Sequence, residues 1–437
     1  MIRGILSKSL GTGGLKVSQA LMGVLVTIVM TRILGLAQFG LFSFGLAVAT
    51  GLAIPTKNGV TELVVREVSR AAAANDPAKL HGVLRWVLLF SAFYCAVVGG
   101  IVAFVAITFF PASDLAFSIA ISTLLLPGFS LIGNWSGGLR GLGKPVAALF
   151  PDTVLRPVIL IIISLILNVL LPGAMTATHA TLAMVAAVSL SAALNHYLFW
   201  HKVPAALAAT GNAKIEHRAW LRSALPFTAI GGVQVATRQA DLILLGLLVG
   251  ETAVGVYRIA LQGAMLVAFG SQAVNVVLAP RIAQLREGRN QDELVVLLRT
   301  SIVLSLCVAV PGLLIYAAFG EQILALLFGT DAVAALIPLL ILSAGNTLAM
   351  LNGAVIPLLN MTGNENRTLM SFALALASTI VLNLALIPFF GTNGAAMAAF
   401  LAIVVSSLAL RHAAITSLAI DPPTTLFRQR APENDHA

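Results

Sequence analysis

The sequence predicts an all-α polytopic membrane protein of about twelve transmembrane helices, and three observations predict it. Of the 437 residues, 59% are hydrophobic and only 10% are charged, a balance that no water-soluble surface of this size tolerates. The apolar residues fall in unbroken runs of about 20 rather than in alternating segments of about 10, which selects helices over barrel strands. Lys and Arg gather in every second connection, the pattern of a chain threaded back and forth across a bilayer.

By window length the spans fall near 17–34, 39–60, 83–109, 115–137, 146–171, 177–200, 223–249, 253–278, 301–319, 332–358, 369–390 and 395–418. Arg3 and Lys8 precede the first run as in a signal peptide, but the run is too long for an h-region and no small-residue cleavage site follows. It reads as a retained helix. Pro55, Pro127, Pro157, Pro226, Pro311 and Pro338 lie within or beside spans, and each removes a backbone donor, so several spans are expected to bend.

The connections after even-numbered spans carry Arg66, Arg70 and Lys79, then Arg140 and Lys144, then Lys202, Lys214, Arg218 and Arg222. They continue with Arg281, Arg286 and Arg289, and finally Arg367, whereas the turns at 111–114, 250–252 and 391–393 hold neither Lys nor Arg. The positive-inside rule places both termini and all basic loops in the cytoplasm, so the net charge of +9 calls for no nucleic acid. The longest outer connection is 320–331, too short for a folded domain. Cys95 and Cys307 lie in apolar runs and read as buried thiols.

An internal repeat is visible. Leu34-Gly35 followed by Phe39-Gly40-Leu41-Phe42 joins the first two spans, and Val249-Gly250 followed by Val254-Gly255-Val256-Tyr257 joins the seventh and eighth with the same glycine spacing. Leu142-Gly143-Lys144 corresponds likewise to Thr362-Gly363-Asn364. Six spans per half make the repeats parallel, with a substrate site expected between them. The domains are then a first six-helix lobe (1–202), a cytoplasmic linker (203–222), a second six-helix lobe (223–419) and a cytoplasmic tail (420–437).

Charge near the centre of a span costs about 2.5–3.5 kcal/mol per residue, so it marks wet cavities or ion pairs. Away from the extreme ends of the spans stand Lys57, Asp152, Arg156, Arg238, Asp241 and Arg258, four cations against two acids. A chamber with surplus positive charge offsets the lost hydration of a phosphorylated ligand. Arg156 and Arg238 lie nearest the middle of their spans, where guanidinium forks suit phosphate or sugar-acid oxygens. Each also has an acid on its own helix face, Asp152 four residues before and Asp241 three residues after, so local neutralisation competes with that role.

Lys57 and Arg258 lie within a turn or two of a span end and read either as cavity cations or as snorkelling side chains; Arg32, Arg85, Arg140 and Arg411 read as snorkelling. Asp241, with Asp152 as the alternative, is either a counter-ion or the carrier of a coupling H⁺ or Na⁺. Asn134, Gln234, Asn275, Asn346 and Asn352 offer amides either to sugar hydroxyls or to neighbouring helices. The segments 62–79 and 281–299 read as amphipathic headgroup helices or as solvated loops. The sequence holds no metal-ligand cluster and no nucleophile elbow, and 11–16 lacks the Gly-Lys-Ser/Thr of a phosphate loop. Neither an enzyme nor a cofactor is expected.

Thr31-Arg32 through Leu34-Gly35, Phe39-Gly40-Leu41-Phe42, Glu67 to Arg70, Leu225-Pro226 to Asp241, and Gly255-Val256-Tyr257 resemble bacterial polysaccharide exporters. These form the oligosaccharide flippase branch of the multidrug, oligosaccharidyl-lipid and polysaccharide exporter superfamily. The resemblance implies a MATE-like, V-shaped pair of six-helix bundles in the bacterial inner membrane. It also implies flipping of an undecaprenyl-diphosphate-linked oligosaccharide to the outer leaflet by alternating access. Partners so implied are the lipid-linked glycan, membrane lipids and other polysaccharide-assembly proteins. The first span lacks the acid that some multidrug members carry there, which disfavours, without removing, a cation-coupled drug antiporter. A glycan polymerase or ligase would need a sizeable outer loop.

Overall fold

A computed structural model describes residues 2–110, 113–171, 173, 175–208, 215–287 and 291–418, the side chains of 2–13, 270–287, 291–295, 361 and 418 excepted. Among the described residues the chain is helical almost throughout, with no strand. The first half contains α1 (Ile2–Leu52), α2 (Val60–Ala74), α3 (Pro77–Phe109), α4 (Asp114–Ser122), α5 (Leu125–Gly141), α6 (Pro145–Phe150), α7 (Arg156–Leu170), α8 (Ala177–Lys202) and α9 (Ala205–Ala208). The second contains α10 (His217–Leu248), α11 (Glu251–Glu287), α12 (Gln291–Phe328), α13 (Leu336–Ala349), α14 (Val355–Met361) and α15 (Glu365–Leu418).

Among the described residues, nine helical stretches are long and apolar enough to cross a membrane. Two of them break at a glycine: α1 at Gly35 (φ 72°) and α15 at Gly391 (φ 54°). Straight, each would be roughly 75–80 Å long at 1.5 Å per residue, more than twice the roughly 30 Å of hydrocarbon. Each therefore passes twice. With α10, whose polar residues keep it out of the nine, the passes come to twelve.

The repeat read from the sequence recurs in the backbone. Gly35 and Gly250 both take positive φ (72° and 117°), and so do Gly143 and Gly363 (72° and 74°). After the latter two, the Lys144 N–H bonds the Leu139 carbonyl and the Asn364 N–H the Leu359 carbonyl, both at 2.9 Å. This is one helix-ending motif, built twice around a left-handed glycine.

The halves meet at both ends of the helices. At the Gly35 end a Cβ on Gly40 would collide with the Glu251 carbonyl, and one on Gly255 with the Leu36 carbonyl, so α1 and α11 approach backbone to backbone through a reciprocal pair of glycines. Arg32 donates to the carbonyls of Ala325, Leu326 and Leu327 in the last turn of α12. The Ala325 carbonyl also accepts from the Gly329 N–H at 3.1 Å; all three lie in the helix's last turn, where backbone donors run out and the negative end of the dipole is exposed. Arg32 thus caps a helix of the other half instead of snorkelling to headgroups.

At the opposite end Trp220, 2% exposed, packs from α10 into a first-half core of Leu63, Val64, Leu80 and Phe199, its ring 5.7 Å from that of Trp86. Closer to the middle, Gly59 touches Thr228, Asn58 touches Gly231 and Ile54 touches Gly232.

Several expectations change. The stretch 320–331 is no loop: α12 runs to Phe328 and the turn Thr330–Ala335 follows. The stretch 62–79 is mostly helix, but α2 buries Leu63, Val64, Val68 and Ala71 against α3 and α5 instead of lying on headgroups. Its buried carboxylate, Glu67, gathers Arg66 (2.9 Å), Arg70 (3.1 Å) and Lys79 (3.0 Å). Burial pushes the Glu67 carboxyl up, but bonds and charges from Lys79 and Arg66 outweigh it and hold it below the usual carboxylate range. Arg140, expected to snorkel, pairs with Glu62 at 3.1 Å. Cys95 is buried, whereas Cys307 lies on the outer face of its helix, because an apolar run in a membrane protein has a lipid side as well as a core side. Arg289, residues 209–214 of the expected linker and the tail 420–437 lie outside the described residues.

Candidate functional site

The sequence-predicted charges separate into three places. In the first half, Pro55 heads a π-helical turn (Ile54–Gly59) at the end of the second pass, and Pro151 heads another (Pro151–Leu155) between α6 and α7. Proline withholds the donor that would continue the α-helical ladder, and a widened turn re-aims the side chains within it. Lys57 and Asp152 sit one in each turn, 3.8 Å apart, and Arg156 approaches the other Asp152 oxygen at 2.9 Å. The Lys57 ammonium also lies over the Phe129 ring, 4.7 Å from its centroid.

These side chains are a quarter or so exposed. Two cations on one carboxylate leave a surplus of one positive charge. The i, i+4 pairing of Asp152 with Arg156 is present, as the sequence allowed. Lys57 joins it, turning a local pair into a cluster that links the second and fifth passes.

Arg238 and Asp241 part company. Arg238 is exposed on α10 beside Gln234 and Thr237, at the edge of a cavity of about 440 Å³ whose other wall is α14 and the start of α15. Among the described residues it has no ion-pair partner. Asp241 is 6% exposed and turns into the second-half core. There the Tyr257 hydroxyl donates to one carboxylate oxygen (2.9 Å) and the Asn383 amide to the other (2.6 Å). The local neutralisation read for Arg238 and Asp241 does not form: the i, i+3 spacing would allow it, but Tyr257 and Asn383 hold the carboxylate in the core while the guanidinium stays exposed at the cavity edge.

Asn383 lies on α15, is fully buried, and leaves its Oδ1 without a hydrogen-bond partner among the described residues. Neither Tyr257 nor Asn383 stands out in the sequence as a partner for an acid. A tyrosine or asparagine within an apolar run carries no signal until its partner is known. Arg258, one residue past Tyr257, is half-buried, with no hydrogen-bond or ion-pair partner among the described residues.

Of the amides, Asn134 donates to Ser91 (3.1 Å) and Asn346 to the Ala264 carbonyl (3.0 Å), so both join helices. Asn352 is buried. Gln234 borders the cavity, and the Asn275 side chain lies outside the described ones.

Twelve passes, a backbone repeat and charges buried at membrane depth define an all-α, multi-pass membrane protein of the MATE-like fold. The chain superposes on a multidrug resistance MATE family transporter in its inward-facing conformation with a TM-score of 0.73, at 15% identity over 94% of this chain and 96% of that one. It superposes on the lipid II flippase MurJ, inward closed conformation, with a TM-score of 0.68, at 12% identity over 94% and 89%. The model of the polysaccharide biosynthesis protein family matches residues 5–286, and that of the MatE family residues 226–389.

The chain belongs to the polysaccharide biosynthesis protein family. It is 25% identical over 175 residues to the probable low-salt glycan biosynthesis flippase Agl15 of Haloferax volcanii, a match covering 39% of this chain and 36% of that protein. The chain thus aligns with little more than a third of that relative's length.

Proposed function

We propose that this protein is a flippase that carries a lipid-diphosphate-linked oligosaccharide across a cytoplasmic membrane by alternating access. The observation that carries the proposal is the cluster of Lys57 and Arg156 around Asp152, a positive surplus set within the second and fifth passes and left partly exposed. A diphosphate loses much hydration on leaving the headgroup region, and charge-assisted bonds from an ammonium and a guanidinium replace it. Arg238 and Arg258, both in the second half, are the further cations proposed to meet the cargo, Arg238 at a separate cavity that Glu365 also borders. The family match and the flippase relative support the same substrate class. The cargo moves without covalent change, so the chain acts as a transporter for surface polysaccharide assembly, set in a bacterial inner membrane with both termini inside.

Asp241 is the group proposed to couple transport to an ion. Its carboxylate is withdrawn from water and is the group that takes H⁺, while the unpaired Asn383 Oδ1 adds an oxygen for Na⁺. Asp152, held between two cations, is less free to exchange one. The same buried carboxylate and the MatE match over 226–389 favour, as a second reading, a cation-coupled small-molecule antiporter.

The test is flipping of a fluorescent lipid-diphosphate oligosaccharide in proteoliposomes, with and without pH and Na⁺ gradients. R156A and K57A are expected to stop flipping while the protein still inserts. Undiminished flipping by both variants, or drug efflux without glycan flipping, rejects the flippase reading.

A further inference from the structure

The cavity beside Arg238 has a second wall that the charges leave unused. Asn360 of α14 and Asn366, Thr368 and Phe372 of α15 border it, facing Gln234 and Thr237 of α10. Its volume, about 440 Å³, falls within the roughly 300–1,000 Å³ of small-molecule sites. Carboxamides donate and accept together, as neighbouring sugar hydroxyls do, and a phenyl face takes the apolar face of a ring.

Two further features favour a sugar over an anion. Glu365 borders the same cavity as Arg238, so the formal charges there cancel, in contrast to the surplus around Asp152. Thr368 is 5% exposed, yet its Oγ1 is buried and finds no hydrogen-bond partner among the described residues. An orphaned buried hydroxyl destabilises a fold, so stability by itself gives no reason for threonine there. The Oγ1 is sealed from the cavity in this rotamer; a turn about χ1 would present it to the space Thr368 borders, where a ligand hydroxyl completes it.

We propose that this cavity is a saccharide subsite in which Asn360, Asn366 and Thr368 hold glycan hydroxyls and Phe372 supports a sugar ring. Recognition is then divided: the second half reads the glycan, and the cluster around Asp152 in the first half takes the diphosphate. This division rests on the flippase reading; saccharide binding at the cavity does not.

The test uses the full chain in lipid nanodiscs and saturation-transfer NMR with N-acetylglucosamine, glucose, galactose and glucuronate, with inorganic pyrophosphate as competitor. At least one sugar is expected to bind, about tenfold more weakly to T368V and to N366A, and to remain bound when pyrophosphate is added. T368V is also expected to melt at or above the wild-type temperature, because it removes an unpaired hydroxyl, so its lost binding cannot be lost folding. Binding of none of the four sugars, equal binding by both variants, or displacement by pyrophosphate overturns the proposal. Thr368-dependent sugar binding without flipping of a lipid-diphosphate oligosaccharide sinks the flippase reading alone; flipping without sugar binding sinks the subsite alone.

Discussion

Glu67 is the residue whose charge the fold depends on most visibly, because one buried carboxylate holds Arg66, Arg70 and Lys79 together. Its folded pKa lies below the unfolded value, so its contribution is complete above that value and is lost as pH falls through the folded one. The detergent-solubilised wild type should therefore lose melting temperature more steeply than E67Q below about pH 4.3. At pH 7, E67Q should cost about 1–3 kcal/mol, less than the breaking of a fully buried pair because Arg70 is 60% exposed. Asp241 makes the opposite case. In D241N the Tyr257 hydroxyl can rotate to accept from the new amide while Asn383 still donates to its oxygen, so the fold should survive. Flipping by D241N should then ignore pH and Na⁺ gradients in proteoliposomes, and a retained gradient response would remove Asp241 from coupling.

Between elements, the contact that sets the geometry is the reciprocal approach of α1 and α11 at Gly40 and Gly255. Alanine is normally better than glycine inside a helix by about 1 kcal/mol. At these two positions the added Cβ meets a backbone carbonyl that cannot step aside, so G40A and G255A should each cost about 1–3 kcal/mol. At Gly100 of α3 an added methyl would have no atom within 4 Å, and G100A should be neutral or stabilising. Thermal melts of the three variants therefore test the contact by sign. The π-helical turns at Pro55 and Pro151 belong to this scale as well. They bring Lys57 and Asp152 together from passes far apart in the chain.

At the scale of the whole molecule, α10 is shared between the halves. Its first turns carry Trp220 into the first-half core, and its last turns carry Asp241 into that of the second. Under alternating access, the seam of Asn58 and Gly231 has to open and close. A Cβ built on Gly231 would lie 2.9 Å from the Asn58 Cβ, within about 1 Å of disulfide spacing. In a C307S background, N58C/G231C should cross-link under mild oxidation, stop flipping and recover on reduction. Wild-type flipping by the cross-linked protein would show that this seam stays closed throughout the cycle.

Much of this was legible in the chain. Hydropathy gives most of the passes, because the bilayer demands length and apolarity whatever the packing; the glycine breaks in α1 and α15 and the polar α10 bring the number to twelve. The glycine repeat gives the two equivalent halves, since a left-handed turn admits few other residues. The roles of the charges were not legible. Arg238 and Asp241 stand three apart and still diverge, Lys57 and Asp152 stand 95 positions apart and still meet, and Arg32 caps a helix almost 300 residues away. Local spacing fixes which face of a helix a side chain leaves from; what that side chain meets depends on which other helix lies across from it, and only the packed bundle decides that.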